Sequence, residues 1–178
     1  MKEKKKAKRA LLVIDMLRDF LEQEGSLFCG QKARRIIPFV VDKINSFYQA
    51  GEPVIFIRDS HDPNDNEFSL FPPHCVKGTK GAEIIPELPV KKGAIMVPKT
   101  RYSAFYGTNL GTILKRKRVT EVYVTGVCTS ICVMDTVGGL RNRDYPVYVF
   151  GRGVADFDAA AHRFALRRME KIYGARII

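Results

Sequence analysis

No stretch of this sequence approaches the ~20 consecutive apolar residues that a membrane-spanning helix requires, and the apolar part of RALLVIDML is cut by Asp15 before it can form a signal-peptide core. A soluble, cytoplasmic protein with no membrane partner is expected. Cysteine is sparse. The four residues, Cys29, Cys75, Cys128 and Cys132, make no zinc-finger pattern, because Cys128 and Cys132 stand four apart with no second pair to match them. A disulfide scaffold does not suit a cytoplasmic chain of this size either. Histidine is rarer still, with three residues, and tryptophan is missing altogether. There is no internal repeat, no low-complexity segment beyond the first nine residues and no linker. With 178 residues, 46% of them apolar, the chain has material for one core and hardly for two, so a single domain is expected.

Acidic residues are in deficit as well, 19 against 30 Lys and Arg, for a net charge of +11. Spread over one face, that excess would point to nucleic acid. Much of it is local instead: five lysines and one arginine against Glu3 give +5 within Met1 to Arg9, which leaves +6 for the rest. The block KEKKKAKR is expected to form a solvated, flexible arm over residues 1–9, with the domain proper over residues 10–178. A second cluster, KRKR from Lys115 to Arg118, closes a predicted helix, where cations suit the unpaired carbonyls and the macrodipole.

What the chain does have is an alternation of apolar runs and helical periods. Ala10 to Asp15, Pro53 to Asp59, Ala94 to Lys99, Val119 to Gly126, Pro146 to Phe150 and Ala175 to Ile178 read as strands too continuously apolar to have a wet face. Between them, Ile37, Val40, Val41, Ile44 and Phe47 mark one helix that ends before Gly51, and Leu110, Ile113 and Leu114 a shorter one. Ala161, Phe164, Ala165, Met169 and Ile172 mark a last one, ended by Gly174. The fold class expected is α/β, a three-layer αβα sandwich around a mainly parallel six-stranded sheet of Rossmann-like type. Ligands of such sheets bind outside the carboxyl ends of the strands. There the first four strands carry Asp15, Asp59 followed by His61, Lys99, and Gly126 followed by Cys128 and Cys132.

The segment EVYVTGVCTSICVMDTV places two of the four cysteines where a strand passes into a helix. If Thr129 or Ser130 caps that helix, Cys132 lies in its first turn, where exposed N–H groups would lower the thiol pKa. Cys132 is then the nucleophile, and Cys128 contributes backbone geometry. On the local pattern alone, Cys132 is equally a small buried hydrophobe. Asp15 is placed to take the thiol proton and Lys99 to hold both anions, although a buried Asp and Lys also make a structural ion pair. Two of the three histidines, His61 and His74, fall in one segment with Asp59 and Glu67. Two imidazoles and a carboxylate with room for water describe an open Zn, Mn or Fe(II) site, and loop histidines are also often simply solvated.

Taken together, LLVIDMLRDF, RDSH, LFPPHCVKGTKGAE, VPKTRYSAFYGT, VTGVCTSICV and AHRFAL resemble the isochorismatase-like cysteine hydrolases, and among them the nicotinamidases, over nearly the whole chain beyond the basic arm. The resemblance implies a catalytic triad of Asp15, Lys99 and Cys132. It implies one divalent metal ion, zinc before manganese or iron, on Asp59, His61 and His74, with Glu67 near the metal directly or through water. It implies a cis peptide between Val127 and Cys128, an oxyanion hole from the N–H groups of Cys128 and Cys132, and a pocket lined by Phe20, Phe71 and Tyr102 for a flat heteroaromatic ring. Relatives commonly carry Asp where Ser130 stands and often Trp where Ser60 stands, which bears on pocket shape and substrate preference. Isochorismatase itself lacks the nucleophilic cysteine, and metal-free relatives such as N-carbamoylsarcosine amidase lack the Asp and two His. The activity expected is therefore hydrolysis of nicotinamide to nicotinate and ammonia through a thioester, in NAD salvage, by a homo-oligomer. Two alternatives stand beside it: a related cysteine hydrolase of another small amide, and a basic nucleic-acid-binding protein on an inert hydrolase scaffold.

Overall fold

The computed structural model describes residues 7–178. In chain order these form β1 (Arg9–Ile14), α1 (Arg18–Leu21), α2 (Gln31–Arg34), α3 (Ile37–Gln49), β2 (Val54–Asp59), β3 (Ile95–Lys99), α4 (Leu110–Arg116), β4 (Glu121–Val127), α5 (Met134–Arg141), β5 (Val147–Ala155), α6 (Ala159–Lys171) and β6 (Arg176–Ile177). All six strands are parallel, in the order β3-β2-β1-β4-β5-β6. Of the basic arm expected over residues 1–9, residues 1–6 lie outside the described residues. Arg9 already opens β1, where its guanidinium meets Glu52 at 2.7 Å.

Alternation along each strand divides the core into two layers. Leu11 and Val13 of β1 and Val54 and Phe56 of β2 point to the face covered by Ile37, Val40, Ile44 and Phe47 of α3. Ala10, Leu12, Ile14, Ile55 and Ile57 point to the opposite face, under Leu110 and Leu114 of α4, Val137 and Leu140 of α5, and Met169 of α6. Between Arg9 at the start of β1 and Arg58 and Asp59 at the end of β2, these strands are apolar at every position because both faces are covered.

Two expectations need correcting in detail. The fifth strand continues past Phe150 to Ala155, because a register shift lets Val154 and Ala155 pair with Gly126 and Val127 after the glycine-broken GRG interrupts the apolar run. Phe164 and Ile172, expected on the inner side of α6, are 59% and 66% exposed. The helix meets the core through buried Ala165 and Met169 and half-buried Leu166, and it packs beside α5 and the turn after β4. The four-residue helices α1 and α2 are too short to show a period.

The strand order reverses direction between β1 and β4. Connections leaving these two strands diverge, and a crevice opens between their carboxyl ends. Gly126 makes the close approach possible: it sits at φ 120, and a Cβ there would lie 1.9 Å from the Ile14 carbonyl oxygen. No residue with a side chain can take that place without parting the two strands that bound the crevice.

Candidate active site

β4 delivers the turn that carries the two cysteines. The Val127–Cys128 peptide is cis, and a π-helical turn over Thr129–Val133 leads directly into α5. The expected capping by a Thr129 or Ser130 hydroxyl does not occur. Cys128 is the N-cap and makes no side-chain cap. Thr129 Oγ1 faces His162 Nδ1 at 2.9 Å, and the Ser130 N–H donates to Asp156 Oδ2 at 2.7 Å. The carboxylate that caps this turn thus comes from the residue after β5, which no local sequence pattern reveals. Asp156→Ala is expected to cost about 1–2 kcal/mol, the usual loss for a helix cap, as read from urea denaturation. An unchanged midpoint would show that water satisfies the Ser130 amide equally well.

Asp15, Asp59, Lys99 and Cys132 meet in the crevice. Asp15 follows β1 at φ 50, a left-handed conformation that Asp adopts more readily than most residues, and its Oδ1 accepts from the Asp59 N–H at 2.9 Å. Lys99 ends β3 in register with Asp59. Its Nζ lies 2.8 Å from Asp15 Oδ2 and 3.3 Å from Cys132 Sγ, and it also donates to Asp59 Oδ1. The ammonium thus stands among two carboxylates and the sulfur. All four side chains are buried.

Burial and then the neighbouring Asp59 push the Asp15 carboxyl up to about 7, in spite of Lys99. Burial works on Asp59 in the same sense, but Lys99 and His61 outweigh it and hold this carboxyl below its usual range. Lys99 stays charged: burial opposes its charge, and Asp15, Cys132 and Asp59 more than restore it. The expected low thiol pKa at Cys132 is corrected. Burial pushes it well up and the two carboxylates add to that, while Lys99 alone pulls it down. The sulfur accordingly keeps its proton at rest. A carboxyl titrating near neutrality can take that proton as the sulfur attacks and return it to a leaving group.

Asp59, His61 and His74 bring their ligand atoms within 4.8 Å of one another. His61 Nδ1 bonds Asp65 Oδ2 at 3.1 Å and His74 Nδ1 bonds the Pro72 carbonyl at 2.8 Å. Both acceptors require the proton on Nδ1, so that in the neutral rings the lone pair falls on Nε2. His61 Nε2 is buried with no hydrogen-bond partner, 3.8 Å from Asp59 Oδ2. Glu67 stands beside them, with Oε1 3.8 Å from His74 Nε2 and Oε2 buried and unpartnered, and burial raises its pKa. An orphaned imidazole nitrogen facing carboxylates is the donor set of a divalent transition-metal ion, and the residues fit one.

Between these two groups lies a cavity of about 410 Å³, which Phe20, Phe71, Tyr102, Cys128 and Cys132 line together with Asp59, Glu67 and His74. The rings of Phe20 and Phe71 stand 5.7 and 6.3 Å from that of His74. Leu27, Phe28, Ile131 and Phe157 also line it, and sequence reasoning misses them because they lie in loops or turns without a period. It also misses Cys29, whose sulfur is 3.3 Å from that of Cys128. Asp65 left one local signal, an Asp two residues before Glu67 at the head of a short helical turn.

Residues 9–178 match the family model described as the isochorismatase domain. A Bacillus subtilis protein described as the uncharacterized isochorismatase family protein PncA is 36% identical over 180 residues, which cover 96% of this chain and 98% of that one. The crystal structure of nicotinamidase PncA from Bacillus subtilis superposes with a TM-score of 0.89 at 35% identity, over 96% of this chain and 98% of the other. The pyrazinamidase of Pyrococcus horikoshii, solved in complex with zinc, gives 0.90 at 31% identity, again over 96% and 98% of the two chains.

Proposed function

This chain belongs to the isochorismatase-domain family and is a hydrolase of amide C–N bonds, and from that premise we propose that it is a nicotinamidase, working through Cys132 and a thioester. The observation that carries the reading is the meeting of a buried thiol, a carboxyl titrating near neutrality and an ammonium, beside an Asp–His–His cluster, in one apolar cavity. Phe20, Phe71 and Tyr102 offer flat faces to an aromatic ring. A divalent ion on Asp59, His61 and His74, with Glu67 beside it, would supply a Lewis-acid contact for a ring nitrogen; zinc is the ion in the Pyrococcus horikoshii structure.

Asp15 takes the proton of Cys132 as the sulfur attacks the carboxamide carbon. The N–H groups of Cys128 and Cys132 receive the oxyanion, and Lys99 holds Asp15 in place while balancing the charge that develops on sulfur. The protonated Asp15 then gives its proton to the departing ammonia, and as a carboxylate again it activates the water that cleaves the thioester. The reading carries with it a place in NAD salvage in the cytoplasm and an assembly of identical copies, the last checked by sizing chromatography.

Purified protein given nicotinamide is expected to release ammonia and nicotinate in equal amounts. A panel of other small amides tests the nearest rival, since a better substrate among them would move the assignment. Stripping the metal with a chelator is expected to remove most of the activity, and adding Zn²⁺, Mn²⁺ or Fe²⁺ to return it. A metal-free sample, verified by elemental analysis, that still turns over at the full rate would count against the metal-assisted reading.

A further inference from the structure

We infer that Asp65 is a positioning residue for the metal centre and that Arg101 acts through it. This rests on the metal-assisted reading above. One carboxylate serves two of the candidate ligands. Its Oδ2 accepts from His61 Nδ1 at 3.1 Å, and its Oδ1 accepts from the backbone N–H of Glu67 at 2.9 Å. The first bond fixes the His61 proton on Nδ1 and turns the lone pair of the buried, unpartnered Nε2 toward Asp59 and His74. The second caps the 3₁₀ turn Asn66–Ser69 and so sets the place of Glu67, whose Oε2 is likewise buried and unpartnered.

Arg101 locks this arrangement from the other side. Its Nη1 lies 2.9 and 3.1 Å from the two Asp65 oxygens and also donates to the Thr100 carbonyl. Arg101 stands two residues beyond Lys99, so the loop that bears the ligands is tied to the strand end that bears the ammonium. As an ion pair alone the contact would contribute little, because the Arg101 side chain is 37% exposed. What matters is the direction it gives the carboxylate. His74 provides an internal contrast: its Nδ1 is held by the main-chain carbonyl of Pro72, which no side-chain substitution removes.

Asparagine cannot replace Asp65 although it has the same shape. Both oxygens accept from N–H groups, and an amide has one acceptor and one donor end. Either its NH₂ faces the Glu67 N–H and Arg101, or it faces His61 and drives the proton onto Nε2, which removes the lone pair a metal needs.

Metal-free wild type and variants are titrated with Zn²⁺ against a chromophoric chelator, and their Co²⁺ absorption spectra are recorded. Asp65→Asn and Asp65→Ala are expected to bind Zn²⁺ roughly 10- to 100-fold more weakly, the usual loss when the outer partner of a ligating histidine is removed. The Co²⁺ band should shift. Arg101→Gln is expected to lose about 2- to 5-fold, and to lose nothing further in the Asp65→Ala background, since it acts through the carboxylate. Melting temperatures of the metal-free proteins separate positioning from folding and are expected to stay close together. Wild-type affinity and an unchanged Co²⁺ spectrum in Asp65→Asn overturn the inference, as does weakened binding that tracks a collapse of the metal-free fold. If the wild type itself takes up no metal, the metal-centre reading fails with it, and that outcome is seen without any amide substrate.

Discussion

Cys132→Ala is expected to lower ammonia release from nicotinamide by on the order of 10⁴-fold or more, with the fold intact. A covalent route has no substitute for its nucleophile, and removing such a group usually leaves only the residual rate that binding and oxyanion donors provide. Only one sulfur is removed, from a turn held by its own backbone and by Asp156, so far-ultraviolet circular dichroism and the urea midpoint should stay near those of the wild type. Cys132→Ser should be nearly as inactive, because a hydroxyl in the same buried site is far harder to ionise than a thiol. Equal turnover in wild type and Cys132→Ala would remove the thioester from consideration and with it the role given to Asp15.

Lys99→Met is expected to injure both catalysis and stability. The ammonium is the shared partner of Asp15, Asp59 and Cys132, all of them buried. Removing one member of a buried charge cluster strands the others, a loss of about 3–5 kcal/mol. Losing the ammonium raises both carboxyls, and Asp15, already pushed up to about 7 with Lys99 beside it, is the first to keep its proton, since Asp59 retains His61. A protonated Asp15 cannot accept the thiol proton at neutral pH. Turnover should therefore fall roughly 10³-fold, within the range of a general base and its support, and the urea midpoint should drop together with it. Near-normal stability and turnover in Lys99→Met would show that the cluster is a structural tie and that the proton leaves Cys132 by another path.

Much of the architecture was legible in the chain because strands buried on both faces announce themselves without a partner. Leu11, Leu12, Val13 and Ile14 are apolar whichever layer they meet, and a polar or reactive residue at or just past the end of each of the first four strands marks its carboxyl end. The sheet order was not legible, since nothing in β1 distinguishes β4 as its neighbour. Gly126 held the only hint, and its reason is a contact with Ile14, over a hundred positions away. The residues that meet in the crevice were legible by type and by position at strand ends. What escaped was whatever supports them from elsewhere: Asp156 under the Ser130 amide, Asp65 behind His61, Arg101 behind Asp65. The thiol pKa was misjudged for a related reason. A helix start is a local feature that favours the thiolate, whereas enclosure by Asp15, Asp59 and the core is a tertiary one that opposes it more strongly.

The groups that meet in the crevice stand at the ends of β1, β2, β3 and β4, four strands that adjoin one another at one side of the sheet, whereas β5 and the two-residue β6 hold the other. Recovery of turnover after dilution from denaturant should therefore report when that quartet has come into register, a step that far-ultraviolet signals from the helices need not follow. Fraying of the carboxy-terminal border, by contrast, should leave the rate of hydrolysis untouched until it reaches the β5 corner at Asp156.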